Sequence, residues 1–227
     1  MLPFCRLHSR YPLSHNSGLS RTEILVLLAL LAILMLAASG PLSSYLRSSR
    51  INRAVTSAAT LNTLLSQYAT DNNGVYPVGE GTPAEGKSEG IARLLLENNY
   101  TPDSSVFSVG ATPKYKGANP ADIGAANISW DFTAGATATT GLTSGAPELL
   151  PILYGTGESV TYPTVQGTGL DLALSGQGPF AKSGIVVAYK NSTAVFIPAT
   201  SSGSTSICRG FISKEFTDTA TYTQIRP

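Results

Sequence analysis

The 227-residue chain is 42% hydrophobic and 13% charged, too apolar for wholesale disorder and long enough to bury one sizeable core. Fifteen Lys and Arg against fourteen Asp and Glu leave a formal charge of +1, which supplies no electrostatic ground for a nucleic-acid partner. Two cysteines exclude a disulfide-dense scaffold, and 22 Gly with 14 Pro, lacking a collagen period, indicate a loop-rich domain.

Residues 1–18 carry Arg6, His8, Arg10 and His15 but no acid. Residues 24–38 then read ILVLLALLAILMLAA, fifteen positions without a polar side chain. At 1.5 Å per residue this run rises about 22 Å, short of a hydrocarbon core of about 30 Å, so a span needs flanking residues or local thinning. A buried core helix and a secretory signal cut at Ala37-Ala38-Ser39 are the competing readings. Glu23 stands at the head of the run. An ionised carboxylate in lipid costs several kcal/mol unless it is paired or held near the headgroups. Glu23 is therefore either an interfacial marker beside Arg21 or a partner site.

The string Gly18-Leu19-Ser20-Arg21-Thr22-Glu23-Ile24-Leu25-Val26 resembles the prepilin-type cleavage and methylation motif of type IV pilins and type II secretion pseudopilins. The resemblance implies a leader peptidase that cuts after Gly18 and methylates Leu19. Glu23, the fifth residue after that cut, is then the assembly carboxylate that meets the new amine of a neighbouring subunit. Leu19 stands where phenylalanine is usual, and Arg21-Thr22 replace a commonly apolar pair. Gly40-Pro41 matches the family's irregularity near the end of the hydrophobic segment. Independently, proline lacks an N–H and clashes with the preceding turn, so the pair predicts a kink.

Residues 42–70 continue without proline or glycine, and Leu46, Ile51, Val55, Ala58, Leu61, Leu65 and Tyr68 recur at mostly helical spacing. Together with the apolar run they predict one bent helix over residues 20–70, with a membrane anchor plus coiled-coil stalk as the alternative. Asp71-Asn72-Asn73-Gly74 stops it. The stretch from Tyr68 to Tyr76-Pro77 resembles the exit from the long helix in pseudopilins. Arg47, Arg50 and Arg53 nearly balance the basic residues before the run, so charge alone does not orient a span.

Residues 88–97 predict a short helix with Ile91, Leu94 and Leu95 inward. Residues 101–124 read as loops with a short strand over 106–109. Residues 127–132 predict a strand and 133–147 a surface insertion; 149–154 and 170–174 are weaker strand candidates. The clearest sheet signal is a hairpin of residues 184–189 and 194–197 around Lys190-Asn191-Ser192-Thr193. Its two strands are apolar at both alternating positions, so period two does not choose a face. The hairpin also resembles one common in pseudopilins, with Asn191-Ser192 where Asp-Gly is usual. Residues 207–216 add a candidate edge strand.

Catalytic chemistry finds little support. Both histidines lie in the leader, so the processed chain lacks a Ser-His-Asp or Cys-His arrangement and the commonest zinc ligand. Glu80, Glu85 and Glu89 form an acidic group read as solvated surface. Neither Gly155-Thr156-Gly157 nor Gly167-Thr168-Gly169 completes a phosphate-binding pattern. Asp71 with neighbouring amides falls short of a calcium ligand set. Cleavage removes Cys5 and leaves Cys208 as a lone thiol.

These observations predict an α+β fold whose long N-terminal helix is membrane-embedded in its first half and packed in its second half against a small antiparallel sheet. The expected division is a leader at 1–18, a transmembrane and assembly segment at 19–42, and an extracytoplasmic domain at 43–227. The resemblance implies a non-enzymatic subunit of a pseudopilus or pilus-like fibre in the bacterial inner membrane. No cofactor and no metal are expected. Its implied partners are the leader peptidase, other pilin or pseudopilin subunits, an assembly platform and the lipid bilayer. The alternatives are a solitary membrane-anchored surface binding protein and a secreted enzyme.

Overall fold

The structure is a computed structural model that describes residues 20–160, 162, 171–207 and 221–227; side chains at 32–43, 171 and 206 lie outside that description. The chain falls into two compact units, Met1–Leu46 and Arg47–Pro227. Helix α1 runs over Arg21–Asp71 and contributes to both. The helix continues unbroken through Gly40 and Pro41.

The expectation of a membrane-embedded first half is corrected. Among the described residues no helix is long and apolar enough to cross a membrane. The physical reason is length: the fifteen-residue apolar run rises about 22 Å against a required 30 Å or so. Thr22-Glu23 and Ser39-Gly40 keep it from lengthening at either end. The single-pass inner-membrane placement and the transmembrane role of residues 19–42 rested on that span and are corrected with it.

In the second unit, α1 turns one face inward. Ala54, Ala58, Leu61, Leu65 and Tyr68 are buried, at the three- and four-residue spacing of one helical stripe. The helix ends at Asp71, where Asn73 and Gly74 take positive φ of 55° and 81°, the left-handed stop that an Asn-Gly pair accommodates. Helix α2, Ser88–Glu97, buries Ile91, Leu94 and Leu95 as its spacing predicts.

Five strands form an antiparallel sheet in the order β5-β4-β2-β1-β7: β1 Trp130–Ala134, β2 Pro151–Gly155, β4 Gly184–Tyr189, β5 Ala194–Pro198 and β7 Thr223–Ile225. A second, two-stranded sheet joins β3 (Asp171–Ala173) to β6 (Ser204–Ser206). The hairpin forms in register, Ile185 opposite Ile197 and Val187 opposite Val195. Every residue of β1 and β2 is buried, as are the first five of β4. Both faces of the central sheet are thus covered, which is why residues 184–189 are apolar at consecutive rather than alternate positions.

Several local expectations change. Residues 106–109 do not form a strand; a 3-10 turn occupies Ser104–Phe107, with the Asp103 side chain accepting from the Ser105 amide. Residues 133–147 are not a pure surface insertion, because Leu142 and Ala146 are buried. Tyr76 N donates to Leu142 O at 2.8 Å and Ser144 N to Gly74 O at 2.6 Å, so the Gly/Thr/Ala-rich segment seals the exit of α1. The edge strand expected at 207–216 lies outside the described residues beyond Ile207, and β7 takes the β1 edge instead. Cys208 also lies outside them.

Candidate functional site

Glu23 is held by its own helix terminus. Ser20 N donates to Glu23 Oε2 at 2.7 Å, and Glu23 N donates to Ser20 Oγ at 3.3 Å. This is a reciprocal capping box, in which N-cap serine and N3 glutamate each satisfy a backbone donor that the first turn leaves open. The S-x-x-E spacing was present in the sequence as a local signal. Thr22, Glu23, Val26, Leu27 and Leu30 line a shallow concavity along the same helix. The proposed processing pair, Gly18 and Leu19, lies outside the described residues, and the side chain of Pro41 is likewise undescribed.

The acidic loop group separates. Glu85 is exposed. Glu80 accepts from the Tyr68 hydroxyl and from Val78 N, while Glu89 is buried in the first turn of α2 with Oε2 unpartnered. Burial, reinforced by hydrogen bonding to Glu80, pushes the Tyr68 phenol well above its ordinary range. Tyr100 packs on Tyr68 at 5.4 Å between ring centroids and donates to Asp71 Oδ2 at 3.0 Å. Asp71 therefore serves the helix exit, and among the described residues no group of three or more His, Cys, Asp or Glu side chains could hold a metal ion.

A second polar cluster lies inside the domain. Asp131, the second residue of β1, is fully buried. Alternation along β1 sets Asp131 and Thr133 on one face and Trp130, Phe132 and Ala134 on the other. Tyr154 of β2 faces Asp131 in register, and Gln224 of β7 faces Thr133. Gln224 Nε2 donates to Asp131 Oδ2 at 2.6 Å and to the carbonyl of Glu158 at 2.7 Å. Its Oε1 accepts from Val160 N at 3.0 Å and from Arg226 Nη2 at 2.8 Å. All of Gln224's polar valences are thereby engaged by β1, segment 158–160 and Arg226.

Asp131 is less well served. Its Oδ1 has no hydrogen-bond partner, and neither does Oε1 of buried Glu158. Burial pushes the Asp131 carboxyl up from 3.8 to about 6, against the pull of Thr156, Gln224 and the Arg226 charge; the Glu158 charge adds to the rise. Beside it, Tyr162 links the hydroxyls of Thr133 and Tyr154 at 2.6 and 3.0 Å. What this arrangement can do chemically is take up and release a proton near neutrality.

No family model matches the chain, and no curated protein or solved structure matches it either. The prepilin resemblance is therefore corrected: it rests on short strings around Gly18–Glu23, the helix exit and one hairpin turn, and nothing extends it. The expected fibre subunit falls with it, since both the family and the span that carried that function are unsupported. The solitary membrane-anchored alternative used the same span and is set aside for the same reason.

Sequence reasoning missed the buried cluster, although one signal was available. An aspartate inside the strand WDFTA, flanked by large apolar residues, is a charge where the pattern demands burial. No comparable signal marks Gln224, which lies in a polar C-terminal stretch and acquires its role only through β7 pairing.

Proposed function

We propose that this chain is a non-catalytic oligomerising protein whose helix segment 24–31 closes with copies of itself into a small, finite helical bundle, each copy carrying one α+β domain. One observation carries this reading: Ile24, Leu25, Val26, Leu27 and Leu28, followed by Leu30 and Leu31, are all exposed, Leu25 by 66% and Leu28 by 56%. At 100° per residue, five consecutive exposed apolar positions encircle the helix. A contiguous apolar surface of this kind marks an interaction site, and a helix apolar all round needs neighbours on more than one side. A single flat partner surface leaves half of it in water. Three or more parallel or antiparallel copies give each helix neighbours on more than one side with surface of matching chemistry, in the manner of bundle cores.

Sedimentation equilibrium of the full chain tests this reading. A discrete oligomer that Leu25→Ser/Leu28→Ser converts to monomer is the expected result. A monomeric wild-type chain overturns it, as does open-ended growth with concentration. Flotation of monomers on phosphatidylcholine vesicles, lost in the same double variant, overturns it in favour of lipid as the cover.

A further inference from the structure

The C-terminal strand is attached to the sheet in an unusual way. β7 has three ladder positions, Thr223, Gln224 and Ile225, against Ala134, Thr133 and Phe132. So short an edge strand holds little by itself. Its other ties are the Gln224 amide to Asp131 and Glu158, Val160 N to Gln224 Oε1, Thr223 Oγ1 to Ala136 O, Ser88 Oγ to Ile225 O, Arg226 Nη2 to Glu158 O and to Ser159 Oγ at 2.7 Å, and Ser88 N to Arg226 O at 3.0 Å, with Ile225 buried in the core. The first of these ends on a fully buried carboxyl with one oxygen unpartnered.

We propose that Asp131 and Gln224 form a proton-controlled latch on the C-terminal strand, seated while the carboxyl is protonated and loosened when it ionises. The reasoning is electrostatic. Protonated, Asp131 carries no charge into the interior, and Oδ2 still accepts from Gln224. Ionised, it places a charge in a buried site where the Thr156 hydroxyl and the Gln224 amide favour it but do not offset the burial, and where Oδ1 has no hydrogen-bond partner. The charged and titratable groups facing it do not cancel that charge. Arg226 attracts it, and Arg226 is already engaged by Glu158 O, Ser159 and Gln224; Glu158 repels it. Tyr154, its cross-strand neighbour, and Tyr162, bonded to Tyr154, bring hydroxyls and no cation to that face. Opening of β7 is the cheapest way to admit water to Asp131, because it breaks three ladder positions at an edge instead of the sheet's centre. Release uncovers the outer backbone edge of β1.

Amide hydrogen exchange on the full chain, corrected for the intrinsic pH dependence, decides the matter. Between pH 5 and pH 7.5 the protection of Thr223, Gln224 and Ile225 falls by about tenfold, while amides of β4 change little. Asp131→Asn removes the fall, and Gln224→Ala gives low protection at both pH values. Protection of β7 that is flat in the wild-type chain overturns the latch, as does a fall that persists in Asp131→Asn. Should Asp131→Asn fail to fold, a carboxyl NMR titration of wild-type Asp131 replaces it: a midpoint that coincides with the change in β7 protection supports the latch, and one below pH 5 overturns it.

Discussion

The Asn62 side chain, fully buried on α1, donates from Nδ2 to the carbonyl of Tyr189 at 2.7 Å, across 127 positions of sequence. That carbonyl also accepts from Ser192 N at 3.0 Å, so Asn62 ties the long helix to the turn of the β4–β5 hairpin. Asn62 Oδ1 has no partner, which shows that the tie is kept at some cost. Asn62→Ala loses one hydrogen bond of two on Tyr189 and lowers stability by about 1 kcal/mol. Asn62→Asp removes the donor and aims a buried carboxylate at a carbonyl, costing about 3 kcal/mol or more. Urea denaturation at neutral pH distinguishes the two by their midpoints, with slopes unchanged.

Gly90 is the clearest steric constraint in the domain. A Cβ placed there would lie 2.0 Å from the carbonyl oxygen of Ala84, so loop 79–86 rests directly on the backbone of α2. Alanine is the better helix former by about 1 kcal/mol. Displacing that loop costs about 1–3 kcal/mol, and the overpacking term prevails. Gly90→Ala therefore lowers the melting temperature. At Gly81 nothing lies within 4 Å and only the positive φ of 76° opposes a side chain, so Gly81→Ala is the milder change in the same thermal measurement.

How much of this was legible in sequence depended on whether the signal was local. The second half of the α1 stripe (Ala58, Leu61, Leu65 and Tyr68), the Asn73-Gly74 stop and the face of α2 follow from spacing and form in the structure, whereas Leu46 at the head of the stripe is exposed, Ile51 and Val55 are half-buried, and Ala54 is buried in their place. The hairpin was legible for the same reason. Residues 133–147 read as a free loop because small residues dominate them, yet Leu142 is drawn into the core by pairing with the helix exit. At Glu23 the described contact is local, three residues away at Ser20, a pairing that the S-x-x-E spacing carries within one window. The Asp131–Gln224 contact joins residues 93 apart, and no short window contains both.

The capping box makes a separable prediction for the first unit. Ser20→Ala removes the acceptor for Glu23 N and weakens the first turn by about 1 kcal/mol. Glu23→Ala does the same from the other side, while Glu23→Gln retains an oxygen for Ser20 N and stays close to wild type. The effect is local fraying: exchange at the Glu23 amide accelerates in both alanine variants, and the melting of the second unit stays unchanged. Equal acceleration in Glu23→Gln would show that charge at the helix N-terminus, not the reciprocal bond, holds the turn.

Asp131 gives the domain a stability profile opposite in sign to that of a salt-bridged aspartate. Its folded-state value of about 6 lies above the ordinary 3.8, so between these values the native state holds more protons than the unfolded chain. Stability then falls as pH rises, and the contribution is fully present only below the unfolded value. From pH 4 to pH 7.5 the loss is about 2 kcal/mol. Other carboxylates superimpose their own trend, so the measurement is the difference between wild type and Asp131→Asn in urea at both pH values. The asparagine variant gains relative to wild type at pH 7.5 by about 2 kcal/mol more than at pH 4. An equal difference at the two pH values would mean that Asp131 ionises at its ordinary pH despite its burial.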